Sequence, residues 1–331
     1  RYMDNKDIIL EVNHLRTSFY FGKKEGKAVD DISFKVNRGE ILGIVGESGS
    51  GKSVTAMSIM GLLRNTTGKV MGGEALFHGK DLLKLSDKEI RAIRGKHISM
   101  VFQEPMTSLN PVLTVGEQIA ETIIRHEKVS KSEAWNRAKE LLDVVQIPHS
   151  EKRLKEYPHE LSGGMRQRVM IAMALCCNPE LIIADEPTTA LDVTIQLQIL
   201  ELFKSLRDKF NMSVILITHD MGVIAEMADN VMVMYAGNMV EYGDTATILN
   251  HPEHPYTKAL MEAVPRLDEE KDKLNAIPGI IPGLTNMPDG CHFNPRCKYA
   301  TNKCKEMKPE ESFVNGRKVC CWNLELAKEG E

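Results

Sequence analysis

The sequence predicts an α/β protein built on a mostly parallel sheet, and three observations carry that expectation. Short apolar runs alternate with helical stretches along most of the chain. Three of those runs, ending at Val45, Ala184 and Thr218, pass straight into polar or glycine-rich segments, as strands do at the ligand edge of such a sheet. At 331 residues, the chain is long enough for two domains, or one large domain with an appendage.

Taken in order, Ile9–Val12 and Ile32–Val36 are the first apolar runs, and Glu40–Val45 is a short one that predicts a buried strand. Ser53–Arg64 has helical periodicity, stopped by Asn65-Thr66-Thr67-Gly68. Between about 104 and 165 the strand signal fades. Val115–His126 and Lys131–Val145 there predict amphipathic helices, so the segment is expected to be a helical insertion. The alternation resumes with a helix at Met165–Cys177, a strand at Leu181–Ala184, a helix at Val193–Phe210 and a strand at Ser213–Thr218. Strands separated by helices imply right-handed crossovers. After about Asn250 the composition changes: Pro and Gly crowd Ile277–Pro288, and the terminal cysteines begin at Cys291. The expected organisation is a core of 8–103 with 166–250, the insertion 104–165, and a small C-terminal extension 251–331. No internal repeat or low-complexity tract is present.

Apolar residues make up 42% of the chain and charged residues 27%, ordinary values for a globular protein. The formal charge of −4 gives no electrostatic footprint for nucleic acid. No apolar run approaches the roughly 20 residues needed to cross a bilayer, and no signal-peptide layout is seen. Work at a membrane would therefore need docking onto another subunit. Met3 reads as a natural start, with Arg1 and Tyr2 as a remnant before it. Of seven cysteines, Cys176 and Cys177 sit in an apolar helical stretch and five follow position 290. In a reducing compartment, clustered cysteines point to metal more often than to disulfides.

Gly46-Glu47-Ser48-Gly49-Ser50-Gly51-Lys52-Ser53 fits the eight-position phosphate-loop pattern, with a strand before it and a helix after it. Glycines let backbone N–H groups turn inward around phosphates, and the helix N-terminus adds its positive end. Lys52 would reach the terminal phosphates and Ser53 would offer a hydroxyl to Mg²⁺. The strand at Leu181–Ala184 runs into Asp185 and Glu186. Asp185 would hold the metal, and Glu186 would orient or deprotonate an attacking water. The strand at Ser213–Thr218 ends in His219-Asp220, which adds His219 to the candidate site.

Leu161-Ser162-Gly163-Gly164-Met165-Arg166-Gln167, ahead of a helix that leads to the acidic strand, resembles the signature of ATP-binding-cassette ATPases. The order of motifs is similar as well: phosphate loop, Gln103 after Met100-Val101-Phe102, signature, Asp185-Glu186, Thr189-Ala190-Leu191-Asp192, and His219. Four further segments resemble the dipeptide/oligopeptide (peptide/nickel) importer branch. These are Val45–Ser53, Phe102–Pro111, His254-Pro255-Tyr256-Thr257 and Gly290–Cys297. Met165, where many members carry Gln, also suits that branch. The likeness runs from about Ile8 to Trp322.

The resemblance implies a P-loop NTPase: a RecA-like core with an antiparallel β subdomain, a helical signature subdomain, and a small cysteine-rich extension. It implies a composite site in a dimer. Leu161, Ser162, Gly163, Gly164 and Met165 would serve the partner's ATP, and Gln103 would touch the metal and water. Asp192 would communicate across the dimer, and His219 would clasp the γ-phosphate. An aromatic should stack on adenine, with Tyr20 favoured over its neighbours Phe19 and Phe21. In the tail, Cys291, Cys297, Cys304 and Cys320-Cys321 have spacings that suit zinc or an iron–sulfur cluster without choosing between them. The resemblance implies a [4Fe–4S] cluster with Cys321 as fourth ligand rather than Cys320. It also implies an ATPase that energises a di- or oligopeptide importer, with nickel or glutathione as other cargoes. Its partners would be a second, homologous ATPase in a heterodimer, two transmembrane permease subunits and, indirectly, an extracytoplasmic binding protein. The place of work would be the cytoplasmic face of the membrane. A soluble cassette acting on DNA or ribosomes is the reading from another class. It is disfavoured by the single cassette and the lack of a basic stretch.

Overall fold

The computed structural model describes residues 7–189, 191–263 and 277–324. The expectations for Arg1, Tyr2, Met3 and Ala190, and for the parts of the extension at 264–276 and 325–331, lie outside the described residues. In chain order the strands are β1 (Ile8–Phe21), β2 (Lys24–Asn37), β3 (Ile41–Val45), β4 (Gly68–Phe77), β5 (Lys80–Asp81) and β6 (Ile98–Val101). They continue with β7 (Leu181–Asp185), β8 (Ser213–Thr218), β9 (Asn230–Tyr235), β10 (Asn238–Asp244), β11 (Ser312–Val314) and β12 (Arg317–Val319). Two compact units emerge. One is built mainly from Leu85–Leu216 with Asn37–Gly39; the other comprises Ile8–Val36, Glu40–Lys84 and the chain from Ile217 onward.

In the first unit β6 pairs parallel with β7, Ile98 opposite Leu181 and Val101 opposite Ala184. The part of β8 that falls in this unit, 213–216, lies beside β7, and both are buried throughout. Apolar runs such as Leu181–Ala184 and 214–217 are what burial on both faces demands. The expected insertion helices appear at Val115–Glu127 and Lys131–Val144, within a residue of the periodicity. Each starts at a hydroxyl cap: Thr114 accepts from the Glu117 N–H while Glu117 reaches back, and Ser130 accepts from the Glu133 N–H.

In the second unit one sheet has the order β2-β1-β4-β5, with β1 antiparallel to β4. The short apolar runs at Ile9 and Ile32 grow into strands of 14 residues each. Their polar flanks alternate across a half-buried sheet and so leave no continuous apolar signal. A second group of strands runs β11-β12-β10-β9-β3, with β3 parallel to β9 and the others antiparallel. The helix after the phosphate loop is Lys52–Ile59, shorter than the expected Ser53–Arg64. Gly61 ends it at φ 62. The Leu62 N–H reaches Met57 O at 2.8 Å and the Gly61 N–H reaches Ser58 O at 3.0 Å, the paired bonds of a Schellman stop.

The residues after 250 pack onto the strands of this unit. Tyr256, Leu260 and Phe293 share a core with Val45, Val231, Val233 and Tyr235, and Cys291 and Cys297 lie against it. The β11–β12 hairpin adds to the edge of β10, with Glu241 opposite Val319. Arg317 enters that layer with its side chain 1% exposed and meets the fully buried Glu241 carboxylate at 3.2 Å. It also donates to Thr247 O at 3.1 Å and to His251 O. Removing one partner of such a pair strands a charge in the interior. Arg317→Ala is therefore expected to lower the unfolding free energy by about 3–5 kcal/mol, read by urea denaturation.

Candidate functional site

In the first unit, β7 delivers Asp185, 7% exposed, and then Glu186. Glu186 stands at φ 45, in the left-handed region that a residue with a side chain occupies at a cost of about 1–3 kcal/mol. Its carboxylate is held from two directions: Gln103 Nε2 donates to Oε2 at 3.1 Å, and Thr189 Oγ1 donates to the same oxygen at 2.9 Å. Gln103 follows β6, so two adjacent parallel strands bring their C-terminal ends to one carboxylate.

The signature residues open the helix Gly163–Leu175, which begins two residues ahead of the expected Met165 because Ser162 caps it. Ser162 Oγ accepts from the Met165 N–H at 3.3 Å and is itself exposed. Leu161 is buried, and its carbonyl accepts from Arg166. Gly164 has no room for a side chain, since a Cβ there would meet the Ile195 side chain at 2.7 Å. Ile195 belongs to the next helix, Val193–Phe210, whose cap is Asp192 accepting from the Ile195 N–H at 3.0 Å. The signature and Asp192 thus stand at two touching helix starts. Val193 and Leu197 beside them are 73% and 46% exposed.

In the second unit, the phosphate loop joins β3 to the helix Lys52–Ile59. Gly51 lies at φ 101 with Ala28 O where a side chain would go, so only glycine fits. Lys52 is buried, and its ammonium donates to Gly46 O at 2.7 Å and Glu47 O at 3.1 Å. Ser50 Oγ is enclosed with no hydrogen-bond partner, while Ser48 and Gly49 face solvent and Ser53 is half-buried. His219 is exposed at the end of β8. Of the three aromatics, Tyr20 has its hydroxyl on Met71 Sδ at 3.5 Å and the Lys69 ammonium over its ring. Phe19 packs on Gly68, and Phe21 is 53% exposed.

Several residues without an assigned role in the sequence support this loop. Tyr256 Oη accepts from the Glu47 N–H at 2.9 Å, and Arg296 grips the Glu47 carboxylate. Their motifs, His254–Thr257 and Gly290–Cys297, stood out in the sequence, but separations above 200 residues hid what they touch. In the first motif, His254 caps the helix Pro255–Glu262 by accepting the Tyr256 N–H at its ring Nδ1. Pro255 then takes the first helical position, where a missing N–H costs nothing.

Cys291, Cys297, Cys304 and Cys321 line one small, largely apolar cavity, together with Asn323 and His254. Cys320 lines a different, larger cavity of about 570 Å³. The Asn323 amide donates to Cys304 Sγ at 3.1 Å, and its backbone N–H points at Cys321 Sγ at 3.4 Å. Burial pushes the Cys321 thiol up to about 12, and the nearby Cys291, Cys297 and Cys304 add to the rise. Among the described residues, no group of three or more His, Cys, Asp or Glu is placed to hold a metal ion.

Residues 29–189 match the family model described as ABC transporter, and residues 240–304 match the oligopeptide/dipeptide transporter C-terminal region. The chain is 53% identical to the oligopeptide transport ATP-binding protein AppD of Bacillus subtilis, over 96% of this chain and 97% of the relative. It is 51% identical to the oligopeptide transport ATP-binding protein OppD of Salmonella typhimurium, over 96% and 94% of the two chains. For the dipeptide transport ATP-binding protein DppD of Escherichia coli the identity is also 51%, over 95% and 96%. Among solved structures, a dimeric ATP-binding cassette in a post-hydrolysis state with ADP and phosphate superposes with a TM-score of 0.64 at 29% identity. It covers 71% of this chain and 98% of that one.

His254 beneath the loop has a consequence for acid stability. At 1% exposure, burial drives its pKa from 6.5 down to about 3. The folded value lies below the unfolded one, so the unfolded chain takes up the proton first as pH falls. This contribution to stability is whole above pH 6.5 and is lost as pH falls toward 3. His254→Asn keeps a capping oxygen but does not titrate. The stability difference between wild type and variant is expected to move by about 1.4 kcal/mol per pH unit below pH 6.5, measured by chemical denaturation at several pH values.

Proposed function

This chain belongs to the ABC transporter family, and we propose that it is the ATP-hydrolysing, energy-coupling subunit of an importer of oligopeptides or dipeptides. The cargo follows from its relatives, whose names carry it and which match nearly the whole chain, the C-terminal region included. The chemistry rests on Glu186, whose strained backbone and two hydrogen-bonded neighbours fix a carboxylate at the end of β7.

In this reading the N–H groups of Gly46–Ser53 cradle the phosphates, and Lys52 supplies a positive charge. The unpartnered Ser50 hydroxyl suits a loop built to receive a polar ligand. Ser53, Gln103 and Asp185 would hold Mg²⁺, which when bound neutralises phosphate charge. Glu186 takes the proton of the attacking water, and Gln103 and Thr189 keep its oxygen aimed. His219 contacts the γ-phosphate, and Tyr20 stacks on adenine. The exposed start of the signature helix, Ser162 to Gly164, offers its N–H groups to the ATP of a partner cassette. The exposed apolar pair Val193 and Leu197 beside Asp192 suits a surface that a partner covers. That partner is a second, homologous ATPase, and the pair works on two membrane subunits at the cytoplasmic face. No helix among the described residues is long and apolar enough to cross a membrane, which fits a peripheral subunit.

The tail is proposed to hold a [4Fe–4S] cluster through Cys291, Cys297, Cys304 and Cys321. Four thiols on one apolar cavity, with amide donors aimed at two sulfurs, suit such a group. Five and six residues separate Cys291, Cys297 and Cys304, wider than the roughly two to four usual within structural zinc sites, which disfavours zinc. When bound, the cluster would cross-link the tail.

Two measurements check these readings. Glu186→Gln is expected to cut ATP turnover by about 10²-fold or more while ATP still binds; unchanged turnover would remove Glu186 from its role. Protein purified without oxygen is expected to be brown and to contain iron and acid-labile sulfide in equal amounts, and Cys297→Ser is expected to lose both. A colourless protein with stoichiometric zinc would refute the cluster.

A further inference from the structure

The chemistry above leaves Arg296 unused, although its head group lies against the phosphate loop. Its side chain is 4% exposed, and all five of its N–H groups have acceptors. Nη1 and Nη2 grip the two oxygens of Glu47 at 2.7 and 3.1 Å. The rest go to Pro278 O at 2.7 Å, Ile277 O at 3.1 Å and Tyr235 Oη at 3.3 Å. Glu47 is the second residue of the loop. Its N–H donates to Tyr256 Oη at 2.9 Å, and its carbonyl accepts from Lys52 Nζ at 3.1 Å. Side chain, N–H and carbonyl of this one residue are therefore all held, the first two by residues from beyond position 250.

We propose that Arg296, aided by Tyr256, is a positioning residue for ATP. Through it the C-terminal tail holds Glu47, and with it the Lys52 ammonium, in the geometry that receives the phosphates. The proposal rests on the phosphate loop binding ATP, and it adds what sets that loop's affinity. Two parallel bonds to a carboxylate need the planar fork of arginine, which lysine lacks. Without Arg296, the Glu47 carboxylate is left uncompensated beside an incoming triphosphate, and like-charge repulsion adds to the lost geometry. The support acts equally on bound substrate and transition state, so it belongs to KM rather than kcat.

The test measures binding of a fluorescent ATP analogue with Mg²⁺, alongside steady-state hydrolysis, on the full chain. The variants are Arg296→Ala, Arg296→Lys, Glu47→Gln, and Arg296→Ala with Glu47→Gln. In Arg296→Ala, Kd is expected to rise about tenfold or more, the equivalent of one charged hydrogen bond. KM should follow Kd while kcat changes little, and Arg296→Lys should recover only a small part. The double variant should bind more tightly than Arg296→Ala alone, because it removes the stranded charge. A general loss of structure would not produce that rescue. An unchanged Kd in folded Arg296→Ala overturns the proposal, as does a double variant whose loss is the sum of the two singles. Should Arg296→Ala fail to fold, the same comparison of Kd in Arg296→Lys and Glu47→Gln decides. A wild-type chain that does not bind the analogue would instead refute ATP binding itself.

Discussion

The second unit depends on one carboxylate placed where water cannot reach. Glu241, on β10, is fully buried, and burial pushes its carboxyl up from the ordinary range. Opposing that push are the Glu253 and His254 N–H groups, each at 3.1 Å, and the Arg317 guanidinium. Those three contacts determine much else. The two N–H groups fix the start of the helix Pro255–Glu262, which carries Tyr256 to the phosphate loop. Arg317 fixes β12, and with it the hairpin that closes the tail. A buried acid without these partners would cost several kcal/mol, so the surrounding chain is committed to a single arrangement.

A different constraint governs the first unit. Glu186 sits in left-handed backbone immediately after a strand that is buried at every residue. A strand so enclosed cannot yield, and the strain falls on the first residue beyond it. The turn that follows, with the Thr189 N–H on Glu186 O at 3.2 Å, returns the Thr189 hydroxyl to the Glu186 carboxylate. Backbone strain and side-chain direction therefore share one origin. A residue with free backbone at this position would let the carboxylate wander, and a general base gains from being held in place.

Features whose causes are local were legible in the sequence. The glycine-rich loop between strand and helix, the helices at Val115 and Lys131, and the apolar strands at Leu181 and Ser213 all stand where periodicity and element order put them. The helix after the phosphate loop stops short of Arg64 because Gly61 turns left-handed inside a pattern that stays helical in its periodicity. The strands β1 and β2 run beyond their apolar runs because polar residues interrupt their flanks, Thr17 and Ser18 being polar even where β1 is buried. Within the site, the grip of Gln103 and Thr189 on Glu186 needs two strands side by side, and Arg296 meets Glu47 across 249 positions. No local pattern encodes such a distance.

This long-range support changes how a phosphate loop should be read. The motif Gly46–Ser53 specifies that N–H groups turn inward, but not how firmly. Firmness comes from outside it. Besides Arg296 and Tyr256, the Gly237 N–H donates to Ser50 O at 2.9 Å, from a turn whose Ala236 stands at φ 45. His292 Nδ1 lies 2.6 Å from the Ala236 carbonyl oxygen, so the tail braces that strained turn as well. Rings of Tyr235, Tyr256 and Phe293, 4.7 to 5.3 Å apart, fill the space between these contacts. A stretch that composition alone marks as an appendage is therefore part of the foundation of the loop. Two chains with the same loop sequence and different tails should hold nucleotide with different strength, because preorganisation is set by whatever packs behind the loop.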